Sequence, residues 1–439
     1  MSSAPPICGE NVWVSEPGSN QTSGAFAHRL RRMSGRDPHE PHRVATPLEL
    51  LFDLTFVIAF GVAASEFAHT LVAGHIGAGL AGFTFATFAV CWAWINFSWF
   101  ASAYDTDDWV YRLTTMLQMV GVLVLALGIP PVFSSIAGGQ HVNNRALVAG
   151  YVVMRIAMVI QWLRAAKQNP DRRSACLTYA VAITVAQVGW IAVAIANNSV
   201  GVTFLLIAVM TAIELAGPLL AEKRMGGTPW HAHHIVERNS LLTIIALGEG
   251  VVGTVASLSA VVTDQGWTTD AVLVAVAGTG LTFGMWWVYF VVPAAELLHA
   301  HRERSFGYGY LHILVFGSIV ATGAGLHAAA SYIEHRSQLG SVATVVAVAV
   351  PVGVYVCAVF GTYLLLVRTW DAFYAVEVVM CLLVLGAAIG LAAAGISTAV
   401  CLLVVTAAPA AVVVSFELFG HRHLAEVMAG SLGAPGGRG

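Results

Sequence analysis

Apolar residues form long runs in this chain, and short polar stretches interrupt the runs at fairly regular intervals. A helix needs roughly 20 residues to cross about 30 Å of hydrocarbon, and each run comes close to that length or exceeds it. The pattern predicts twelve membrane-spanning helices, at residues 47–68, 76–100, 113–134, 146–163, 176–196, 200–221, 240–261, 271–293, 307–330, 341–367, 373–394 and 397–419. We therefore expect an all-α fold, a polytopic membrane helical bundle.

Positive charge falls on one side of the membrane under this division of the chain. Of the 21 Lys and Arg residues, all but three lie in the two tails or in the even-numbered loops between spans. Arg145 and Arg336 lie in odd-numbered loops, and Arg155 lies inside a span. Because cytoplasmic loops are enriched in Lys and Arg, the partition predicts that both termini face the cytoplasm.

Composition supports a membrane protein and limits the partners. A hydrophobic content of 57% with only 10% charged residues excludes an ordinary soluble domain. The net charge of −3 gives no indication of a nucleic-acid partner. We expect the lipid bilayer and an unknown small solute or ion as partners, and the oligomeric state stays open. Attraction to anionic lipid is the expected role of the basic residues Arg29, Arg31, Arg32, Arg36 and Arg43.

Short fragments recur at a nearly constant distance, which indicates an internal duplication. The pairs are Glu49-x4-Leu54-Thr55 with Glu237-x4-Leu242-Thr243, Arg173-x5-Tyr179 with Arg368-x5-Tyr374, and Glu214-Leu215-x-Gly217 with Glu417-Leu418-x-Gly420. We predict two parallel six-helix repeats, a plan in which transporters bind their substrate between the halves. The predicted domains are a disordered basic cytoplasmic tail (1–45), the first repeat (46–221), a cytoplasmic linker (222–239), the second repeat (240–420) and a cytoplasmic tail (421–439). A duplicated bundle without a pathway is the alternative.

Carboxylates occur in the first predicted span, where a charge costs about 2.5–3.5 kcal/mol unless it is paired or hydrated. Glu49 follows Thr46 and Pro47, which is typical of a capping box at a helix start. Asp53 lies one turn deeper on the same face, where two carboxylates repel unless one is protonated or a cation is shared.

Glu214 and His312 lie at a depth comparable with that of Asp53. We therefore predict that the three line one polar cavity open to the cytoplasm, with Asp53 as the proton or cation carrier. The alternative is that each of them hydrogen-bonds a neighbouring helix.

Glu249 and Arg155 are the most deeply placed charged residues of the predicted spans. Glu249 is flanked by glycines, which allow another helix to approach closely. Because an isolated buried ion is unfavourable and the two depths match, we predict that Arg155 and Glu249 form an ion pair.

A run of histidines, His231-x-His233-His234-x2-Glu237, offers metal-ligand chemistry in the predicted linker. It lacks a second cluster with ligand spacing, so we predict no metal site. The chain also lacks a nucleophile elbow and a phosphate-binding glycine loop, so we predict no catalytic residue and no cofactor. A membrane-embedded enzyme that uses Asp53 or His312 as a base stays an alternative.

Two segments of the chain resemble the bacterial low temperature requirement A family. The segment from Thr46 to Val57, TPLELLFDLTFV, is similar to its "ELFFDLVFV" opening. His234-Ile235-Val236-Glu237-Arg238 and Leu247-Gly248-Glu249 are similar to its "HxxER…LGE" segment, although Gly250 stands where that pattern has Ser. The resemblance implies a multi-pass inner-membrane protein linked by its family name to growth in the cold. It also marks Glu49, Asp53, His234, Glu237, Arg238, Glu249 and His312 as family-matching positions.

These observations favour a transporter-like membrane protein that is coupled to protons or cations. The alternative function is a membrane-embedded enzyme or an envelope-stress factor that acts on lipids.

Overall fold

The computed structural model describes residues 30–38, 40, 43–139 and 141–433, and within them the chain forms α-helices and no strand. The N-terminal half contains α1 (Pro47–Val72), α2 (Ile76–Tyr104), α3 (Trp109–Leu127), α4 (Ile129–Ala137), α5 (Arg145–Gln168), α6 (Arg173–Ile195) and α7 (Val200–Arg224). The C-terminal half contains α8 (Ala232–Gln265), α9 (Thr269–Phe290), α10 (Ala294–Ala300), α11 (Ser305–Ile333), α12 (Ser341–Val367), α13 (Ala372–Ala393), α14 (Thr398–Ser415) and α15 (His421–Gly433).

Long apolar helices confirm the prediction of a polytopic membrane bundle. In the described part of the chain, eleven helical segments are long and apolar enough to cross a membrane. The seventh predicted span lies within α8, which has 34 residues. The third is divided between α3 and α4 at Gly128, because two prolines at the start of α4 cannot continue the hydrogen bonding of α3.

Helix α11 lies at the centre of the bundle. It is the most buried of the candidate spans, and it packs against α1 and α2 of the N-terminal half and α8 and α12 of its own half. Among these candidate spans, α7 and α13 are the least buried and lie at the periphery. The central helices α1, α2, α8 and α11 therefore form the contact between the two halves.

Small residues allow the helices to approach closely, as the sequence predicted around Glu249. A Cβ atom on Gly253 of α8 would lie 3.1 Å from the carbonyl oxygen of Gly323 in α11. A Cβ atom on Gly150 of α5 would overlap the backbone nitrogen of Leu125 in α3. Close backbone packing of this kind stabilises helix association in membranes, where burial of apolar surface contributes little.

The end of the predicted disordered tail is ordered, so that prediction is wrong for the described residues between 30 and 45. We call this segment the strap. Its Met33 side chain is buried, and the Met33 backbone nitrogen donates to Gln168 Oε1 at 2.7 Å. The Arg36 backbone nitrogen donates to the Ala103 carbonyl at 3.0 Å. The tail prediction for residues 1–29, 39 and 41–42 falls outside the described residues.

The predicted linker is shorter than expected. Helix α7 continues to Arg224 and α8 begins at Ala232, so only residues 225–231 connect them. His231 is the N-cap of α8, where its Nδ1 accepts a hydrogen bond from the His234 backbone nitrogen at 3.2 Å. The strap contacts this connection, because His231 Nε2 lies 2.8 Å from the Glu40 carbonyl. It also contacts the loop after α2, since the Arg31 backbone nitrogen donates to Asp108 Oδ2 at 3.1 Å. We call this end of the bundle the strap end.

Candidate functional site

Helices α1 and α8 each place two polar side chains, one turn apart, on the faces that meet between the halves. Glu49 and Asp53 come from α1, and His234 and Arg238 come from α8. Residues four apart lie on the same side of a helix, so each pair faces the other across the contact. With Trp94 of α2 these residues form what we call the charge cluster, and all five side chains are almost fully buried.

Glu49 has two roles in the cluster. Its backbone nitrogen and Oε2 complete the predicted capping box with Thr46, at 3.3 and 2.7 Å. Its other oxygen, Oε1, lies 3.1 Å from His234 Nε2 and 3.0 Å from Arg238 Nη1. The capping role is therefore confirmed, and the free side of the same carboxylate binds the opposite half.

Arg238 is the cation that Glu49 and Asp53 share. Its Nη2 donates to Asp53 Oδ1 at 2.5 Å while Nη1 reaches Glu49. Trp94 Nε1 donates to the same Asp53 oxygen at 2.6 Å. A planar guanidinium presents several donors in fixed directions, so one side chain can serve two carboxylates, which an ammonium group does poorly.

Several polar atoms of the cluster are left without a hydrogen-bond partner among the described residues. These are Asp53 Oδ2, His234 Nδ1 and Arg238 Nε, together with Glu49 Oε1 and Arg238 Nη1, which meet as an ion pair at 3.0 Å without hydrogen-bond geometry. A buried donor or acceptor without a partner costs about 1–3 kcal/mol, so each is a place where a proton, water or ion gains an interaction. The cluster can therefore exchange protons or partners without first breaking all of its bonds.

Arg43 of the strap covers the cluster from the strap end. Its Nη2 donates to the Ala101 carbonyl at 2.7 Å and lies 3.5 Å from His234 Nε2. Burial lowers the pKa of this guanidinium, and the pKa of Asp105 in the loop after α2 is raised to about 6 by burial. The lipid-attraction role predicted for Arg43 is wrong, because the side chain is buried.

Arg155 pairs with Glu214, so the predicted pairing with Glu249 is wrong. Arg155 Nη2 lies 3.1 Å from Glu214 Oε2. Trp92 and Trp190 donate to the Glu214 oxygens at 2.6 and 3.1 Å. Depth along a helix axis does not say which way a side chain points, and α5 packs on α3 and α6 rather than on α8. This second ion pair lies wholly within the N-terminal half.

Glu249 forms no ion pair within the part of the chain that the structure describes. Its carboxylate lies against α1, where a Cβ atom on Gly61 would be 2.7 Å from Oε1. The side chain is partly exposed.

His312 belongs to a third group of polar side chains. Its Nε2 lies 2.9 Å from the Tyr289 hydroxyl and its Nδ1 lies 2.7 Å from the Tyr308 carbonyl. A cavity of about 40 Å³ adjoins it, and neither Asp53 nor Glu214 lines that cavity. The predicted single cavity for Asp53, Glu214 and His312 is therefore wrong, because each of the three has partners on its own neighbouring helices.

The remaining histidines and acids of the predicted linker have other roles. Glu237 is half-buried near the strap, and the His231 side chain caps α8. Within the described residues, no group of three His, Cys, Asp or Glu side chains is arranged to hold a metal ion.

Sequence reasoning missed Trp94 and Arg43 as members of the site. The signal for Trp94 is that a buried indole N–H needs an acceptor, and Asp53 is a carboxylate of the adjacent helix. The signal for Arg43 is its position three residues before the Thr46 cap, where the chain enters the bundle.

Fold and site together define a multi-pass α-helical membrane protein whose two halves meet at a buried cluster of charged residues. The model of the family described as bacterial low temperature requirement A protein (LtrA) matches residues 44–409, and the chain belongs to this family. An uncharacterized protein, RA0937, of Rhizobium meliloti (strain 1021) is 23% identical over 308 residues, which cover 67% of this chain and 70% of the relative. No solved structure matches the chain.

Proposed function

We propose that the protein is a proton- or cation-coupled transporter of the bacterial inner membrane, and that the charge cluster couples ion binding to movement of the two halves. The observation that carries the proposal is that Arg238 of the C-terminal half is bound by Glu49 and Asp53 of the N-terminal half. The contacts of the charge cluster between the halves are thus ionic, and the one between Arg238 and Asp53 depends on the protonation of Asp53.

Energetics argue against a purely structural role for the cluster. Removing ions from a polar environment is costly, and apolar side chains of similar volume often stabilise a protein as well or better. Four ionisable side chains with no exposure at this contact therefore indicate a function. The ion pair of Arg155 and Glu214 is equally buried but joins helices of one half, so it offers a control for burial alone.

The coupling step follows from the contacts of Asp53. A proton on Asp53 removes its negative charge and weakens its bond to Arg238 Nη2, while Glu49 still holds Nη1. The α1–α8 contact is then weaker at one of its two ionic points. Release of the proton restores the bond, which is what alternating access requires of a carrier residue.

Hydrogen bonds at corresponding places in the two halves support the proposal of parallel repeats. In the N-terminal half, Trp92 of α2 donates to Glu214 of α7 at 2.6 Å. In the C-terminal half, Trp287 of α9 donates to Glu417, just after α14, at 3.0 Å. Glu214 and Glu417 are the residues that the predicted duplication aligns. The packing of corresponding helices is also similar. In the N-terminal half α3 contacts α5, and in the C-terminal half their counterparts α11 and α12 contact each other.

Current measurements on solid-supported membranes test the proposal without knowledge of the substrate. Proteoliposomes are exposed to a rapid change from pH 8 to pH 5, and the protein should give a transient current as protons enter the cluster. Asp53→Asn should abolish this current, whereas the double variant Arg155→Gln/Glu214→Gln should retain it. Size-exclusion elution verifies that each variant is folded.

Two results would reject the proposal. One is a current of wild-type size from Asp53→Asn, and the other is no current from the wild-type protein at any pH or after addition of mono- or divalent cations. Lipid turnover by the same proteoliposomes without a current would favour the lipid-acting enzyme instead.

The proposed orientation, with both termini in the cytoplasm, is tested by cysteine labelling. Lys223→Cys should react with a membrane-impermeant maleimide only in permeabilised cells, and Asn143→Cys should react in intact ones.

A further inference from the structure

A lateral groove of about 460 Å³ lies between α1 and α2 on one side and α11 and α12 on the other. Its walls are apolar, and they include Phe67, Leu80 and Phe83 of the N-terminal half and Ile313, Ala343 and Val350 of the C-terminal half. Leu80 and Val350 are about half exposed, so the groove opens on the outer, membrane-facing surface of the bundle. It is separate from the charge cluster, none of whose residues lines it.

The length of the groove matches one leaflet of a bilayer. On α12 the lining positions extend from Ala343 to Val354, which corresponds to about 16 Å of helix. The hydrocarbon core of a bilayer is about 30 Å thick, so one leaflet contributes about 15 Å. A groove of this length and lining suits one acyl chain of a lipid in that leaflet.

Basic residues lie beside the end of the groove that is opposite the strap end. Ile76, at the start of α2, and Leu339, just before α12, line this end. The Gln338 backbone nitrogen donates to the carbonyl of Val72 at the end of α1, at 2.8 Å. His75 precedes Ile76, and Arg336 lies three residues before Leu339. Both side chains are exposed, although Arg336 also has Glu334 within 3.5 Å.

Arg336 is one of only three basic residues that depart from the charge partition of the sequence. A positive charge on that side opposes the usual topological signal, so it needs another reason. The phosphate of a lipid headgroup supplies one, because it lies at the membrane surface above its own acyl chain and attracts Arg and His.

We propose that the lateral groove binds one phospholipid, with an acyl chain in the groove and the phosphate near Arg336 and His75. Because the walls come from both halves, the bound chain contacts each half and stabilises the arrangement described here. The proposal is independent of the transport function, since it involves other residues at the opposite end of the bundle.

Native mass spectrometry of delipidated protein titrated with dioleoylphosphatidylglycerol tests the proposal. The wild-type protein should retain one lipid more tightly than all others. Leu80→Trp and Val350→Trp fill the groove and should weaken that first binding at least tenfold. Arg336→Gln should weaken it about fivefold, the effect of one basic residue near a membrane surface. Leu383→Trp, on the exposed face of α13, is the matched control and should bind as the wild type does.

Other outcomes would overturn the assignment. Unchanged binding by both groove-filling variants, or an equal loss in Leu383→Trp, would show that the groove is not the site. Equal affinity for oleic acid, or unchanged affinity in Arg336→Gln, would exclude the phosphate contact. A dimer that Leu80→Trp dissociates would identify a second copy of the chain as the occupant. If a Trp variant does not fold, Leu80→Ala removes apolar contact and should also weaken binding.

Discussion

Arg238 holds two carboxylates of another helix with a single planar side chain. Both carboxylates lie on α1, one turn apart, and both are fully buried. The imidazole of His234, one turn before Arg238, adds a contact to Glu49 at 3.1 Å. The site therefore consists of two residues on α1 and two on α8, each pair spaced i, i+4, that face each other. Its stability depends on a balance of positive and negative charge.

Loss of the shared cation should be strongly destabilising. Arg238→Gln leaves two adjacent carboxylates buried without a counter-ion, and breaking a buried pair in this way costs about 3–5 kcal/mol. Adding Asp53→Asn removes one of those charges, so the double variant should lose less than the sum of the single losses. Thermal and chemical unfolding in detergent measure the loss of stability in the single variants and in the double variant.

An exposed ion pair supplies the control for this cycle. Arg112 and Asp107 lie 2.8 Å apart near the strap end, and their side chains are 48% and 39% exposed. Arg112→Gln should cost less than about 1 kcal/mol, because solvent screens exposed pairs. Strictly additive losses for Arg238→Gln and Asp53→Asn would argue against a direct interaction between the two side chains.

Asp105 gives a pH dependence with a defined sign. Burial raises its pKa to about 6, from an ordinary value near 3.8. A carboxyl group with a raised pKa in the folded state contributes stability below its unfolded pKa, and that contribution is lost as the pH rises through about 6. Asp105→Asn resembles the protonated form, so it should be more stable than the wild type at pH 8 and no more stable at pH 4.

Melting temperatures of wild type and Asp105→Asn, measured from pH 4 to pH 8, check this expectation. At pH 8 the free energy of unfolding of Asp105→Asn should exceed that of the wild type by about 3 kcal/mol, because the pKa of Asp105 is raised from 3.8 to about 6. A difference that is constant across the whole range would contradict it.

The sequence predicted the roles of single residues more accurately than it predicted which residues contact each other. Glu49 as a cap followed from local spacing, and the structure confirms it. The same spacing left two alternatives for Glu49 and Asp53, a proton on one of them or a shared cation, and the structure shows the shared cation Arg238. The pairing of Arg155 with Glu249 rested on equal depth, and it is wrong because depth does not fix which way a side chain points around the helix. Partners on different helices depend on the spatial order of the helices, which a single sequence does not contain.

The strap is the element that covers the charge cluster at one end of the bundle. Arg43 lies beside His234, and Met33 is inserted among buried residues of the bundle. Further contacts come from the Arg31 backbone nitrogen, which donates to Asp108 Oδ2 at 3.1 Å, and from Asn169 Nδ2, which donates to the Ser34 carbonyl at 2.9 Å. The described part of the strap therefore packs against the bundle at the end where the cluster lies.

Removal of the Met33 side chain should loosen the strap without unfolding the bundle. Met33→Ala loses about 2 kcal/mol or more of packing, which corresponds to roughly a 30-fold rise in the population of detached straps. Trypsin should then cleave faster after Arg36 or Arg43, while the melting temperature changes little. Leu30→Ala is the matched control, since Leu30 is 60% exposed. Equal cleavage rates for Met33→Ala and wild type would show that Met33 does not hold the strap.

Helices could be predicted from the sequence more reliably than the segments between them. Long apolar runs identified the spans because each spanning helix must satisfy its own backbone hydrogen bonds. The strap and the start of α8 were missed, since their polar composition resembles that of loops. Their order comes from contacts with distant parts of the chain, such as Met33 with Gln168 and His231 with Glu40.

At the scale of the whole molecule, α1, α2, α8 and α11 join the two halves. The charge cluster lies on this contact toward the strap end, and the lateral groove crosses it toward the other end. The proposed transport function assigns the coupling to the charge cluster, and the lipid proposal concerns the groove alone.

Distances between the halves at different pH test the coupling role of Asp53 most directly. Spin labels at Lys167→Cys and Glu303→Cys, both exposed, would report on one half each, with Cys8 and Cys357 replaced by Ser. Pulsed electron paramagnetic resonance in nanodiscs should show a different distribution of distances between the two spin labels at pH 5 than at pH 8. Asp53→Asn should give the pH 5 distribution at both values. A distribution that does not change with pH, or the same pH response in Asp53→Asn as in the wild type, would contradict the role of Asp53 in coupling.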